Sequence, residues 1–502
     1  MPSLSRSNRR MRVIFALIVP VVLALLSTGS VFAASSLVQL SSDPYTNSTS
    51  QHQTEVEPDT FAYGSTLVSA FQVGRFTDGG SSNIGWATST NNGTGWTKGF
   101  LPGTTVFASP TGSYDRISDP TVAYDAMHKT WMVASLGLTA QPSVAGAATL
   151  VNLSTDGGQT WGNSILIHAA SGSENLDKDW ITCDNTATSP YYGHCYTEWD
   201  NNGGGNTIYM STSTDGGQTW SSPQTTQDSA TGVGGQPLVQ PNGTVVVPID
   251  DANAASVLAF TSTDGGQTWG STVTVANIQE HTVAGNLRSM PLISATEDGS
   301  GKIYVVWHDC RFEQNCSAND IVMSTSTDGV NWSAVTRIPT DAIGSGVDHF
   351  IPGIAADKTT SGSSAHLIVT YYYYPQANCS SSTCQLEVGY SASTDGGNSW
   401  TTTTNLAGPM SLSSLAGTTQ GVMVGDYIAT AFTSNGSAFS VFANSSAPTG
   451  GSTCGSTGVT CHLSMFTTST SLSVAGSMHQ VMHDPVLASG MHSFSSMPLT
   501  AR

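Results

Sequence analysis

The chain has 502 residues, enough for a large core, yet only 10% are charged and the formal net charge is −19. Four of its fifteen basic residues, Arg6, Arg9, Arg10 and Arg12, lie at the extreme N-terminus, and an acidic remainder so poor in cations excludes nucleic acid and anionic membranes as partners. Abundant Gly, Ser and Thr with scarce Lys, Glu and Arg point to an all-β chain rather than a helical one.

In chain order, residues 1–33 read as an export signal. Arg9, Arg10 and Arg12 form its positive region, Val13 to Leu26 its apolar stretch, and Val31-Phe32-Ala33 a small-residue cleavage site. No later stretch approaches the ~20 apolar residues of a spanning helix, so a secreted, extracellular product with no membrane contact after cleavage is expected, and a monomer. Eight cysteines fall into four sequence-local pairs, Cys183 with Cys195, Cys310 with Cys316, Cys379 with Cys384, and Cys454 with Cys461. Nearest-neighbour disulfides are the simplest pairing for an exported chain, with metal binding as the alternative. No pair has Cys-x-x-Cys spacing.

From residue 35 to 475 the chain repeats itself. Six copies of one octapeptide occur, STNNGTGW from Ser89 to Trp96, STDGGQTW ending at Trp161, Trp220 and Trp269, STDGVNW ending at Trp332, and STDGGNSW ending at Trp400. The tryptophans stand 65, 59, 49, 63 and 68 residues apart, the length of one four-stranded sheet per repeat. Asp-Gly-Gly between strand-like runs predicts a hairpin, with Asp accepting backbone N–H groups, glycines at positive φ, and Trp as an apolar plate. Asp156, Trp161, Asp215, Trp220, Asp264, Trp269, Asp328, Trp332, Asp395 and Trp400 are therefore read as structural.

Seven inner-strand starts accompany the six boxes: Glu57-Pro58, Asp119-Pro120, Asp179-Trp180, Gln236-Pro237, Met290-Pro291, Ile351-Pro352, and a boxless one at Asp426-Tyr427. Residues 36–40 (SLVQL) are expected to close the last module as its outer strand, which removes an open sheet edge. The count favours a propeller of seven four-stranded antiparallel blades, with six as the alternative. Residues 476–502 are expected to be an irregular tail. The starts collect Glu57, Arg116, Asp119, Asp177, Asp179, Gln236, Arg288, Asp348, His349, Asp426 and Tyr427 at one channel mouth. His349 reads as a hydrogen-bonded rim residue, and Tyr371 to Tyr374 as strand and wall.

Ser-x-Asp-x-Gly-x-Thr-Trp at this spacing resembles the Asp-box (BNR) repeat of the sialidase-like β-propellers. The resemblance implies a secreted exo-acting glycoside hydrolase on terminal sugars, exo-α-sialidase in type, with a glycan or glycoconjugate as partner. It implies Arg75 before Asp78 as a substrate-contacting arginine and acid/base aspartate, Arg288 as a triad arginine, Glu198 as carboxylate partner and Tyr427 as nucleophile beside Asp426. Arg116 or Arg311 would complete the substrate-binding set, because Glu57 stands where the family's first triad arginine is expected. Arg75 and Arg311 both follow a second strand and also read as loop residues pairing with local acids. The alternative function is a non-catalytic extracellular propeller binding glycan or protein through its rim. No cofactor is expected; rim aspartates offer oxygen ligands for Ca²⁺, but no loop motif accompanies them.

Overall fold

The computed structural model describes residues 36–484, together with Met1. The export segment lies outside the described residues. Among them about half the residues lie in strands, the named strand pairs are antiparallel, and no helix is long and apolar enough to cross a membrane.

The repeats build a ring. Inner strands pack side by side in the order Glu55–Tyr63, Arg116–Asp125, Leu176–Cys183, Leu238–Val239, Ser294–Glu297, Asp348–Ala356 and Ala429–Phe432, and the last packs back on the first. Leu37–Gln39 pairs with Leu463–Thr468 at the outer edge of the last module, so the start of the ring joins its end as the SLVQL run suggested. Each middle strand is buried on both faces between neighbouring sheets, which is why runs such as Leu367–Tyr374 are continuously apolar.

The expectation of seven separate four-stranded blades, or six, is corrected: the described residues form five sheets of four strands or more. Two physical causes account for this. Ser81 pairs with Ile117, and that one link fuses the first two modules into an eight-stranded sheet. The third module keeps three strands, because beyond Thr207–Ser213 its outer edge is reduced to two isolated bridges, Thr207 with Thr231 and Met210 with Gln224.

The octapeptides are hairpins closed on themselves. In the second copy Ser154 Oγ donates to Asp156 Oδ1 at 2.8 Å, that oxygen accepts Gln159 and Thr160 N–H, and Thr160 Oγ1 donates to Asp156 Oδ2 at 2.6 Å. Asn91 does the same work in the first copy, accepting from Ser89 Oγ and Gly95 N–H, each at 2.9 Å. Gly157 and Gly158 have φ of +83° and +77°, and the second presses against Val68 and Thr88 of the preceding module. The box serine, aspartate and threonine side chains are thus taken up within the hairpin, and the box packs on the preceding module.

The tail is not irregular throughout, a second correction. Met478–Gln480 pairs with Ser399–Thr401, and Met482–His483 with Thr336–Arg337, so it covers two sheet edges that would otherwise show unpaired backbone groups. Trp400 lies opposite His479 and is fully buried, unlike the half-buried Trp96, Trp161, Trp220 and Trp332 of other boxes. Trp400→Ala is expected to destabilise the fold by about 3–5 kcal/mol in denaturant unfolding, against a much smaller loss for Trp161→Ala.

All four sequence-local disulfides are present. Cys183–Cys195 joins two paired strand ends with Cα atoms 4.0 Å apart, and the other three close short loops.

Candidate functional site

One backbone device, repeated in successive inner strands, builds the channel mouth. The pairing of Glu55–Tyr63 with its neighbour skips between Val56 and Asp59, that of Arg116–Asp125 between Ser118 and Thr121, and that of Leu176–Cys183 between Asp177 and Trp180. At these bulges Glu57, Asp119 and Lys178 take φ of +56°, +47° and +47°. A bulge re-aims the side chain it carries, and a left-handed non-glycine residue costs about 1–3 kcal/mol, so three in register mark a place where strain is tolerated. Pro58 and Pro120 follow in the unpaired position, where a missing N–H costs no ladder bond. In the boxless module Gly425 has φ of +140°, and a Cβ there would meet Glu57 N at 2.8 Å; only glycine lets Asp426 come this close.

The result is a cavity of about 200 Å³, the room of one sugar ring, lined by Glu57, Arg75, Asp78, Asp119, Asp177, Lys178 and Arg288. Asp426 lies buried behind it, and its Oδ2 accepts from both Lys178 Nζ and Arg288 Nη2. Burial alone would raise the Asp426 pKa, but these two cations more than offset it and hold the carboxylate ionised, below its usual range. Glu57 has the opposite balance. Burial first, then the charges of Asp119 and Asp426, push it up to about 8 against the pull of Lys178 and Arg75. Gln72 Nε2 donates to Glu57 Oε2 and, at 3.1 Å, to Ser118 Oγ, which itself donates to Asp119 Oδ1 at 3.1 Å. Burial, with Asp119 beside it, likewise lifts Asp177 to about 6.

Asp78 is the exposed carboxylate of the mouth. Arg116 Nη1 donates to its Oδ1 at 2.6 Å and to Gly79 O at 2.9 Å, while the guanidinium lies 4.1 Å above the Phe76 ring. That hydrogen bond keeps the Asp78 pKa below its usual value. Arg75, 4% exposed, is anchored by Nη1 to Phe76 O at 2.5 Å and Gly80 O at 3.0 Å.

The structure thus gathers Arg75, Asp78, Arg116, Arg288 and Asp426 around one mouth. Tyr427 lies beneath it, 7% exposed, its hydroxyl donating to Pro120 O at 3.3 Å and its ring edge-on to Trp180 at 5.3 Å. Burial, then the charges of Glu57 and Asp119, push its phenol pKa well above the ordinary value. Glu198 is not at the mouth: it sits fully buried in the middle strand of the third module, opposite Trp180 and against Gly235, its pKa raised by burial and by Asp200 and Asp179. Arg311 is also elsewhere, bonded to Asp309 at 2.9 and 2.8 Å and to Asn277 O, as a loop residue pairing with a local acid would be. His349 differs from the hydrogen-bonded rim residue expected, since its ring is buried and stacked on Tyr373 at 5.8 Å. Lys178, which sequence reasoning passed over, and Glu57, which it placed at the mouth but gave no role beyond standing where an arginine is expected, are central to the cavity. The rim carboxylates face Lys178, Arg288 and Arg75, and among the described residues they form no close three-ligand group for Ca²⁺.

Buried acids set the pH dependence of the fold. Glu55 and Asp59 are each raised to about 7 by burial, and Glu57 to about 8. Between the unfolded carboxylate pKa near 4 and these folded values the native state holds more protons, so stability falls as pH rises through the window. Asp156 and Asp328 are held low by hydrogen bonds, and their contribution is lost only below the unfolded value of 3.8. The melting temperature is therefore expected to be higher at about pH 5 than at about pH 8, as calorimetry at the two pH values would show.

Residues 190–352 match the family model described as a BNR repeat-like domain. No curated protein matches the chain. Among solved structures, a protein of unknown function from Dyadobacter fermentans is 14% identical, with a TM-score of 0.46 over 72% of this chain and 99% of that one. The Hadza microbial sialidase Hz136 is 17% identical, with a TM-score of 0.43 over 64% of each chain. The intramolecular trans-sialidase from Ruminococcus gnavus, solved with oseltamivir carboxylate, is 13% identical, with a TM-score of 0.40 over 86% of this chain and 97% of that one.

Proposed function

We propose that this chain, whose residues 190–352 match a BNR repeat-like domain, is a sialidase-like β-propeller of the Asp-box type and a secreted, exo-acting glycoside hydrolase that removes terminal sugars from glycans, exo-α-sialidase in type. One observation carries the reading: a cavity of about 200 Å³ that presents carboxyl groups of opposite ionisation, Glu57 held neutral to about pH 8 and Asp78 held ionised, together with Arg75 and Arg288. Glycosidic cleavage needs such a pair, a neutral carboxyl to protonate the leaving oxygen and an ionised one to activate water or stabilise positive charge at the sugar. In this assignment Glu57 donates the proton and Asp78 is the carboxylate. Arg75 and Arg288 receive the acidic group of the sugar, with Lys178 adding positive charge. Tyr427, its hydroxyl turned to Pro120, supports the floor of the site, and Glu198 lies apart from the mouth against Gly235. Export is supported by the N-terminal segment and by four disulfides.

The second reading, a propeller that binds glycan without cleaving it, draws on the salt bridges themselves. Asp426 already pairs Arg288 and Lys178, and Asp78 already pairs Arg116. A fluorogenic sialoside assayed beside neutral aryl glycosides separates the two. Turnover of the sialoside is expected, with Asp78→Asn losing about 10²–10⁴-fold in kcat and Tyr427→Phe staying within about tenfold of the parent. If no glycoside turns over while sialylated glycan is still retained, the binding reading replaces the hydrolase.

A further inference from the structure

Between the fifth and sixth modules lies a cluster that the mouth does not use. Asp320 opens the strand Asp320–Ser326, Arg337 ends the short strand Thr336–Arg337, Asp341 follows in a loop, and His349 is the second residue of Asp348–Ala356. Arg337 Nη2 donates to Asp320 Oδ1 at 2.7 Å and to Asp341 Oδ1 at 2.5 Å, which fixes both carboxylates. Asp320 Oδ2 remains buried without a hydrogen-bond partner, and so do both ring nitrogens of His349. The imidazole cannot swing away to find one, because it stacks on Tyr373 at 5.8 Å and meets Tyr371 edge-on at 5.4 Å. One ligand atom from each of Asp320, Asp341 and His349 lies within 4.8 Å of the other two.

We propose that Asp320, Asp341 and His349 bind one divalent transition-metal ion of the Zn²⁺ type. Unpaired polar atoms buried this deeply cost about 1–3 kcal/mol each, and a cation at their centre would satisfy an imidazole nitrogen and the free carboxylate oxygen together. Coordination at about 2.0–2.2 Å places tetrahedral ligand atoms roughly 3.5 Å apart, inside the observed span. A nitrogen and two carboxylate oxygens suit Zn²⁺ or its first-row neighbours, whereas Ca²⁺ needs about 6–8 oxygens. Arg337 is the outer partner that orients the carboxylates, and it cancels one of their two charges. Asp341, whose side chain is 20% exposed, gives the ion an entry path and a fourth position open to water. The ion would tie the two modules together at the end of the sheets that carries the mouth.

The test is equilibrium dialysis of the full secreted chain, stripped with chelator, against Zn²⁺, Mn²⁺ and Ca²⁺ separately, with metal analysis and thermal unfolding. One Zn²⁺ per chain is expected, raising the melting temperature. Asp341→Asn, at the partly exposed member of the cluster, and His349→Gln should each weaken binding at least about tenfold and remove the Zn²⁺-dependent rise. The proposal is overturned if no ion is retained, if Ca²⁺ binds in preference to Zn²⁺, or if Asp341→Asn binds as the parent does, which would place the ion on exposed histidines such as His479 and His483.

Discussion

Asp426→Asn is expected to lower the unfolding free energy by about 3–5 kcal/mol in denaturant titration, the scale on which a broken buried ion pair destabilises a fold. The carboxylate is 3% exposed and accepts from Lys178 and Arg288 through one oxygen, so the amide leaves the buried Lys178 and the partly buried Arg288 without their counter-charge at once. The cost does not measure what the triad adds to stability, since replacing all three groups by apolar ones could be nearly neutral. It measures instead how firmly the boxless module fixes the cations of the mouth. A second readout separates this from general damage. Asp426 is one of the charges that raise Glu57, so the variant should move the Glu57 titration to lower pH.

Glu57→Gln is expected to cut kcat by about 10²–10⁴-fold while leaving the fold intact. Glutamine is the isostere of the neutral carboxyl that burial favours, and its oxygen can still accept from Gln72 Nε2. Stability should even rise slightly at high pH, because the parent there must either ionise a buried acid or keep it protonated against solvent. A residue whose loss abolishes turnover without weakening the fold is a participant in the chemistry. Thermal unfolding beside the kinetic assay shows which kind Glu57 is.

Much of the architecture was legible because it rests on local chemistry. The Asp-box hydrogen bonds lie within five residues, so the octapeptide names its own hairpin, and the SLVQL run could be assigned to the ring closure because the last module lacked an outer strand. What escaped was set by long-range pairing. A single contact, Ser81 with Ile117, merges two modules, and the covering of Trp400 by Met478–Gln480 depends on sheet edges some 80 residues away. At the mouth, the inner-strand starts were visible, and they placed Glu57, Asp119 and Asp426 on one rim. That Glu57 and Asp119 sit in matching bulges at positive φ was not, because only the strand register shows it. Lys178 went unnoticed for the same reason, since its bulge has aspartate where the others have proline. Arg311 and Glu198 follow the family pattern in sequence, yet loop geometry and strand facing direct them away from the cavity.

The most direct test is the pH profile of kcat/KM for sialoside hydrolysis, measured for the parent and for Glu57→Gln. The parent should lose activity on an alkaline limb with an apparent pKa of about 8, the value to which burial and neighbouring carboxylates raise Glu57, and the variant's residual activity should lack that limb. A parent profile that is flat through pH 8, or the same limb in Glu57→Gln, would contradict the placing of the proton donor at the channel mouth.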